Sequence, residues 1–236
     1  DGHSGSDFAI RNLAQLEAGV PVVAAAPGVV RGTRDGMADA ALEDGNRAAI
    51  EGRECGNGVV LAHEGGFETQ YCHLRKGSVA VRTGERVERG QRLGLVGLSG
   101  ETSFPHVHLS VRKDGATIDP FKGLAGGPAC GPGAEPLWAP GREALLDYRP
   151  VLVTGLGFAP GRLEWAEVQA GRHDGAALPA GAPALVLWLE AFGLAAGDAI
   201  VWRITGPDGG AVFESTAAEA RGQPRAFSFA GRKAPA

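Results

Sequence analysis

Pro105-His106-Val107-His108-Leu109-Ser110-Val111-Arg112 alternates apolar and polar side chains along residues 105–112. A period of two is the mark of a strand with one face on a core. Val107, Leu109 and Val111 take the apolar face, and His106, His108 and Ser110 share the other. A lone histidine is usually structural, but two imidazoles at i and i+2 on one strand face aim at a common point. The flanking text is built from similar short runs. Residues 20–26, 29–32, 58–63, 67–74, 78–82 and 92–98 read as further strands, with Glu64-Gly65-Gly66 and Lys113-Asp114-Gly115 as hairpin turns. The stretch 33–54, with Asp35-Gly36 and Asp44-Gly45-Asn46, has no helical period and reads as a long surface loop. The fold class expected is mainly β.

The pattern changes after residue 122. Residues 123–136 are dominated by Gly, Pro and Ala and read as a linker with no packed element. Beyond it, 151–153, 163–168, 184–190, 199–205 and 226–229 are strand candidates, separated in places by Ala196-Gly197-Asp198 and Pro207-Asp208-Gly209-Gly210. The expected organisation is a domain of residues 1–122, a linker of 123–136 and a smaller β-sandwich-like domain of 137–236. About five strands are visible where a sandwich usually has about seven or more, so the second domain reads as clipped at Ala236. Trp188 and Trp202 lie in apolar strands and read as core rather than as sugar-stacking platforms.

Composition bounds the function. The 236 residues are 44% hydrophobic and 21% charged, with 38 glycines and a net charge of -4. Arg and Lys are scattered among Asp and Glu, which excludes the basic face of a nucleic-acid binder. The most apolar stretch, 182–192, falls short of the roughly 18 residues a membrane span needs. Nothing in the pattern signals an oligomeric state. The chain opens at Asp1-Gly2-His3 and reads as a mature or trimmed product whose leader has been removed. Cys55, Cys72 and Cys130 contain no Cys-x-x-Cys pair, which argues against a thiolate zinc site. One disulfide with a leftover thiol, Cys55 and Cys72 being best placed, and three reduced thiols stand level.

His3-Ser4-Gly5-Ser6-Asp7 adds an imidazole and a carboxylate in a glycine-containing segment, where loop conformation is expected to bring the pair together. Zinc accepts His nitrogen and Asp oxygen, and catalytic sites keep three protein ligands with one position open. Gly2-His3-Ser4-Gly5-Ser6-Asp7-Phe8, Tyr71-Cys72-His73-Leu74 and Pro105-His106-Val107-His108-Leu109 resemble the three signature segments of the LytM/lysostaphin-type zinc metallopeptidases. Gly56-Asn57-Gly58-Val59-Val60, Gly84-Glu85-Arg86-Val87 and Asp119-Pro120-Phe121 are similar to that family's framework, so the resemblance runs over residues 2 to 121. It implies an antiparallel β-sheet, duplicated-hybrid-motif-like metallopeptidase domain holding one Zn2+ through His3, Asp7 and His108. It also implies His73 and His106 as unligated catalytic histidines. His106 would take the proton of the attacking water, and His73 would donate to the oxyanion or the leaving amine. No His-Glu-x-x-His helix is present, so histidine must fill the role of base. His63 and His173 have no partner in these motifs and read as structural and solvated, respectively.

The resemblance implies an exported zinc endopeptidase acting on peptidoglycan peptides in the periplasm or the extracellular cell envelope. Two alternatives stand beside it. One is a non-catalytic cell-wall-binding or regulatory protein with a vestigial zinc site. The other is a secreted peptidase acting on glycine-rich proteins.

Overall fold

The computed structural model describes residues 4–42, 47–127, 131–141, 149–173 and 177–233. His3 and Cys130 therefore lie outside the described residues. Two compact units form, one from 1–10 with 14–148 and the other from 11–13 with 149–236. The expected mainly β class, with antiparallel sheets, is what the chain adopts.

The first unit contains β1 (Ser6–Ala9), β2 (Pro21–Val23), β3 (Gly28–Arg34), β4 (Asn57–Ala62), β5 (Phe67–Leu74), β6 (Arg86–Val87), β7 (Arg92–Leu95), β8 (His106–Lys113) and β9 (Ala116–Ile118). Its main sheet runs β1-β8-β5-β4-β3-β6, with β9 also on β8, while β2 and β7 pair apart. The alternation read in the sequence sorts the faces of this sheet. Val59 and Leu61 of β4, Tyr71 of β5, and Leu109 and Val111 of β8 join Val22, Val30, Val87 and Leu93 in one core. Each such aliphatic side chain contributes about 2 kcal/mol by leaving water. The opposite face is polar: Cys72 stands across from His108, Gln70 from Ser110 and Glu68 from Arg112. The Lys113-Asp114-Gly115 turn is left-handed at Asp114 (φ 50) and Gly115 (φ 85), as a two-residue hairpin connection requires.

Three expectations change in this unit. Residues 78–82 form no strand. Ala80 makes one ladder bond to Leu93, but the neighbouring Leu95 N–H donates to the Ser78 hydroxyl instead of the backbone. The 33–54 stretch is not all loop, since β3 runs on to Arg34 and Arg47–Ile50 is a one-turn helix, and the described loop from residue 35 is tied down. The Asp39 carboxylate accepts the N–H groups of Leu98 and Lys76, and Asp35 accepts those of Gly77 and Val79. The described part of the 123–136 stretch folds back: Gly133 donates to the Phe121 carbonyl and Leu137 to that of Pro120. Trp138 packs edge-on against Phe8 and Phe121, and this apolar contact is what holds the return.

The second unit contains β10 (Leu152–Ala159), β11 (Ala184–Leu194), β12 (Ala199–Thr205), β13 (Ala211–Ala218) and β14 (Gln223–Lys233). They form a three-stranded sheet, β10-β11-β14, and a β12-β13 hairpin. Ile200 and Trp202 of the hairpin share a buried cluster with Ala191, Leu194 and Ala226 of the sheet, which makes the unit sandwich-like. Trp188 is buried on the other sheet face with Leu163 and Val168. Both Trp188 and Trp202 are core, as their strands indicated. Residues 163–168 are not a strand, because Trp165–Gln169 is a short helix. Its Trp165 and Val168 sit three apart on one face, and Ala166 and Glu167 are good helix formers. His173 is not fully solvated: its side chain is largely covered, with Nε2 3.5 Å from Glu167.

Candidate metal centre

β1 pairs antiparallel with β8, setting Asp7 directly across from His108. The carboxylate is thus delivered by a strand, not by the loop conformation expected. Asp7 Oδ1 lies 2.8 Å from His108 Nδ1 and 3.4 Å from His106 Nε2. Donor atoms of Asp7, His106 and His108 all fall within 4.8 Å of one another. Two ligands held at about 2.0–2.2 Å from one ion stand no more than about 4.4 Å apart, and both pairs involving Asp7 fall inside that reach. Nitrogen, nitrogen and oxygen donors suit zinc. Two of the three expected ligands, Asp7 and His108, therefore meet, and the third, His3, lies outside the described residues. Gly5 makes the approach possible, since a Cβ there would stand 2.5 Å from His108 Nε2 and 2.6 Å from the Leu109 carbonyl.

His73 and His106 close the other side of the cluster. Their ring centroids are 4.7 Å apart, and His73 is 6.0 Å from His108. Both rings are anchored through Nδ1. His73 Nδ1 lies 2.8 Å from the Ser99 carbonyl, and His106 Nδ1 lies 2.9 Å from that of Phe104 and 3.1 Å from the Thr102 hydroxyl. A carbonyl only accepts, so each Nδ1 carries the hydrogen and each neutral ring presents Nε2 as its basic nitrogen. The Phe104 ring stacks on His106 at 4.5 Å. His73 adopts φ 62, a left-handed conformation that costs a non-glycine residue about 1 kcal/mol. Its N–H donates to the Cys55 carbonyl, and the Cys55–Cys72 disulfide sits beside it. The disulfide alternative is therefore the one realised. Strain of this kind persists where the surroundings over-determine it, which is common at functional sites.

The family profile of peptidase family M23 matches residues 1–120. The chain belongs to peptidase family M23. Among M23-related proteins it is 32% identical over 120 residues to peptidoglycan DD-endopeptidase ShyA of Vibrio cholerae serotype O1, covering 51% of this chain and 22% of that protein. It is 31% identical over 120 residues to DD-carboxypeptidase/endopeptidase Mpg of Neisseria meningitidis serogroup B, covering 50% of this chain and 22% of that one. A solved zinc containing peptidase from Vibrio cholerae shares 28% identity over 49% of this chain and 28% of its own, at a TM-score of 0.37. The chain spans about a fifth of the length of the curated relatives it matches. Among the described residues no helix is long and apolar enough to cross a membrane.

Within this M23 unit, sequence reasoning missed the groups that hold the His73 and His106 rings. Ser99 and Thr102 gave no signal, because their part depends on where the loop lands. The Ser99 hydroxyl accepts from Asn57 N–H and donates to the Leu74 carbonyl, fixing the loop that receives His73. His63 is structural as expected, bridging the Pro27 carbonyl and the Thr69 hydroxyl at 2.7 Å each.

Two outcomes follow from this geometry. Gly5→Ala drives a methyl group into the His108 ring and the Leu109 carbonyl. It is expected to cost about 1–3 kcal/mol in stability and to weaken metal uptake, as denaturant titration and metal analysis would show. The second concerns His73. Burial is the main cause that lowers its pKa, to about 4, assisted by the neighbouring imidazoles and opposed by the Ser99 carbonyl and Asp7. The unfolded ring protonates near pH 6.5 while the folded ring stays neutral. Metal-free protein therefore keeps this part of its stability above about pH 6.5 and loses it as pH falls towards 4, by roughly 3 kcal/mol in all. His73→Asn, which tolerates positive φ, should flatten that decline in urea titrations of chelator-treated protein across this range.

Proposed function

We propose that the chain is a zinc metalloendopeptidase hydrolysing peptide bonds in peptidoglycan cross-links or stem peptides. The observation that carries this reading is the convergence of Asp7, His108, His106 and His73 at one end of the polar sheet face. His3, Asp7 and His108 would hold one Zn2+, which when bound polarises the scissile carbonyl and brings the pKa of water to about 7. The remaining work falls to the side chains. His106 has its Nδ1–H committed to the Phe104 carbonyl, so Nε2 takes the proton of the attacking water and returns it to the leaving amine. His73 is neutral at pH 7 and its Nδ1–H is committed to Ser99, so Nε2 orients that water as an acceptor. The donor role expected of His73 needs a charged ring, which its burial opposes.

The wall-peptide substrate draws support from the relatives named DD-endopeptidases. An exported location, in the periplasm or cell envelope, draws support from the Cys55–Cys72 disulfide, since such bonds persist in oxidising compartments. The proposed organisation is a peptidase domain of 1–122 followed by a second β domain. Release of new amines from purified peptidoglycan, measured with and without a chelator, tests the activity. Chelator-sensitive release supports it, and its absence from every wall chemotype overturns it. Parallel assays on glycine peptides separate a wall enzyme from a peptidase of glycine-rich proteins.

A further inference from the structure

We propose that Ser110 is a positioning residue that fixes the ring of His108 so that Nδ1 faces the metal, an assignment that rests on the zinc reading above. The two nitrogens of His108 have different partners. Nδ1 lies 2.8 Å from Asp7 Oδ1, and Nε2 lies 3.1 Å from the Ser110 hydroxyl. The contact follows from the strand: residues 108 and 110 of β8 share a face, and Ser110 is buried beneath the ring. Because Nδ1 points at the Asp7 carboxylate, it is the nitrogen placed to bind an ion shared with Asp7. Nε2 then carries the hydrogen, and Ser110 accepts it.

A hydroxyl serves both states of the site because it donates as well as accepts. In the metal-free protein an ionised Asp7 can only accept, so Nδ1 carries the hydrogen and the Ser110 O–H donates to Nε2. With a metal bound, Nδ1 would be the ligand atom and Nε2 would carry the ring hydrogen. The Ser110 hydroxyl would then turn from donor to acceptor. Gly5, whose missing Cβ leaves room at Nε2, permits this arrangement. Partners that orient a ligating imidazole in this way typically change metal affinity about ten- to a hundredfold when removed.

Competition against a chromogenic zinc chelator at pH 7 tests the assignment on wild type, Ser110→Ala and Ser110→Thr. Zinc is expected to bind Ser110→Ala about ten- to a hundredfold more weakly, with Ser110→Thr close to wild type because it keeps the hydroxyl. Equal affinity in Ser110→Ala overturns the proposal. Should that variant fail to fold, histidine nitrogen NMR of the zinc-loaded wild type decides: a hydrogen on Nε2 of His108 supports the assignment, and a hydrogen on Nδ1 overturns it. A wild type that takes up no zinc overturns the functional reading itself, and this assignment with it.

Discussion

On the proposed zinc-peptidase reading, replacing His108 with alanine is expected to abolish zinc uptake and to reduce wall-peptide hydrolysis by at least about a thousandfold. The expectation rests on where the ring sits. His108 Nδ1 is 2.8 Å from the Asp7 carboxylate, and its loss leaves that carboxylate facing a cavity. The sheet itself should survive, because Leu109 and Val111, which anchor β8 to the core, project from the other face. Circular dichroism should therefore be unchanged while metal analysis and amine release both fall. His106→Ala provides the contrast. It is expected to keep zinc while losing about a hundred- to ten-thousandfold in rate, the range of a lost general base. If both variants lost metal equally, the division of the four residues into ligands and bases would have to be redrawn.

The Cys55→Ser/Cys72→Ser double variant is expected to lose about 3 kcal/mol of stability. The bond spans 17 residues of sequence and closes the β4–β5 hairpin, with Cα atoms 4.7 Å apart. In its absence the unfolded chain regains the freedom of that loop. The loss should appear as a melting temperature lower by roughly 10 °C. A second effect is local. Cys72 precedes His73, whose left-handed backbone is held by the Cys55 carbonyl. Activity per folded molecule should therefore fall as well, which a purely global destabilisation would not produce. A melting temperature within a degree or two of wild type would show that the bond constrains neither state.

The sequence was most legible where one strand carries its own pattern. The alternation of residues 106–111 was enough to place His106 and His108 on one face and Val107, Leu109 and Val111 on the other. The hairpin of β4 and β5 was legible from two apolar runs around Glu64-Gly65-Gly66. Asp7 was singled out as chemistry, but its strand was not, because Ser6–Ala9 has no alternation strong enough to announce pairing. The parts played by Ser99, Thr102 and Asn57 were not legible because they are tertiary: each matters only through the carbonyl or ring that another segment brings to it. In the second unit β13 was missed since Ala211–Ala218 is largely exposed and lacks an apolar run. The helix Trp165–Gln169 was read as extended because Leu163, Trp165 and Val168 satisfy a strand almost as well as one helical face.

The strand that bears Asp7 is four residues long and lies at the margin of the main sheet, with β8 as its pairing partner there. Its detachment would strip the carboxylate from the cluster while leaving the core closed. Capture of a cation and docking of this strand are then one linked equilibrium, so each should slow the other's reversal. Amide exchange at Asp7 to Ala9 ought to report on that coupling, fast in the empty protein and retarded when the ion is in place.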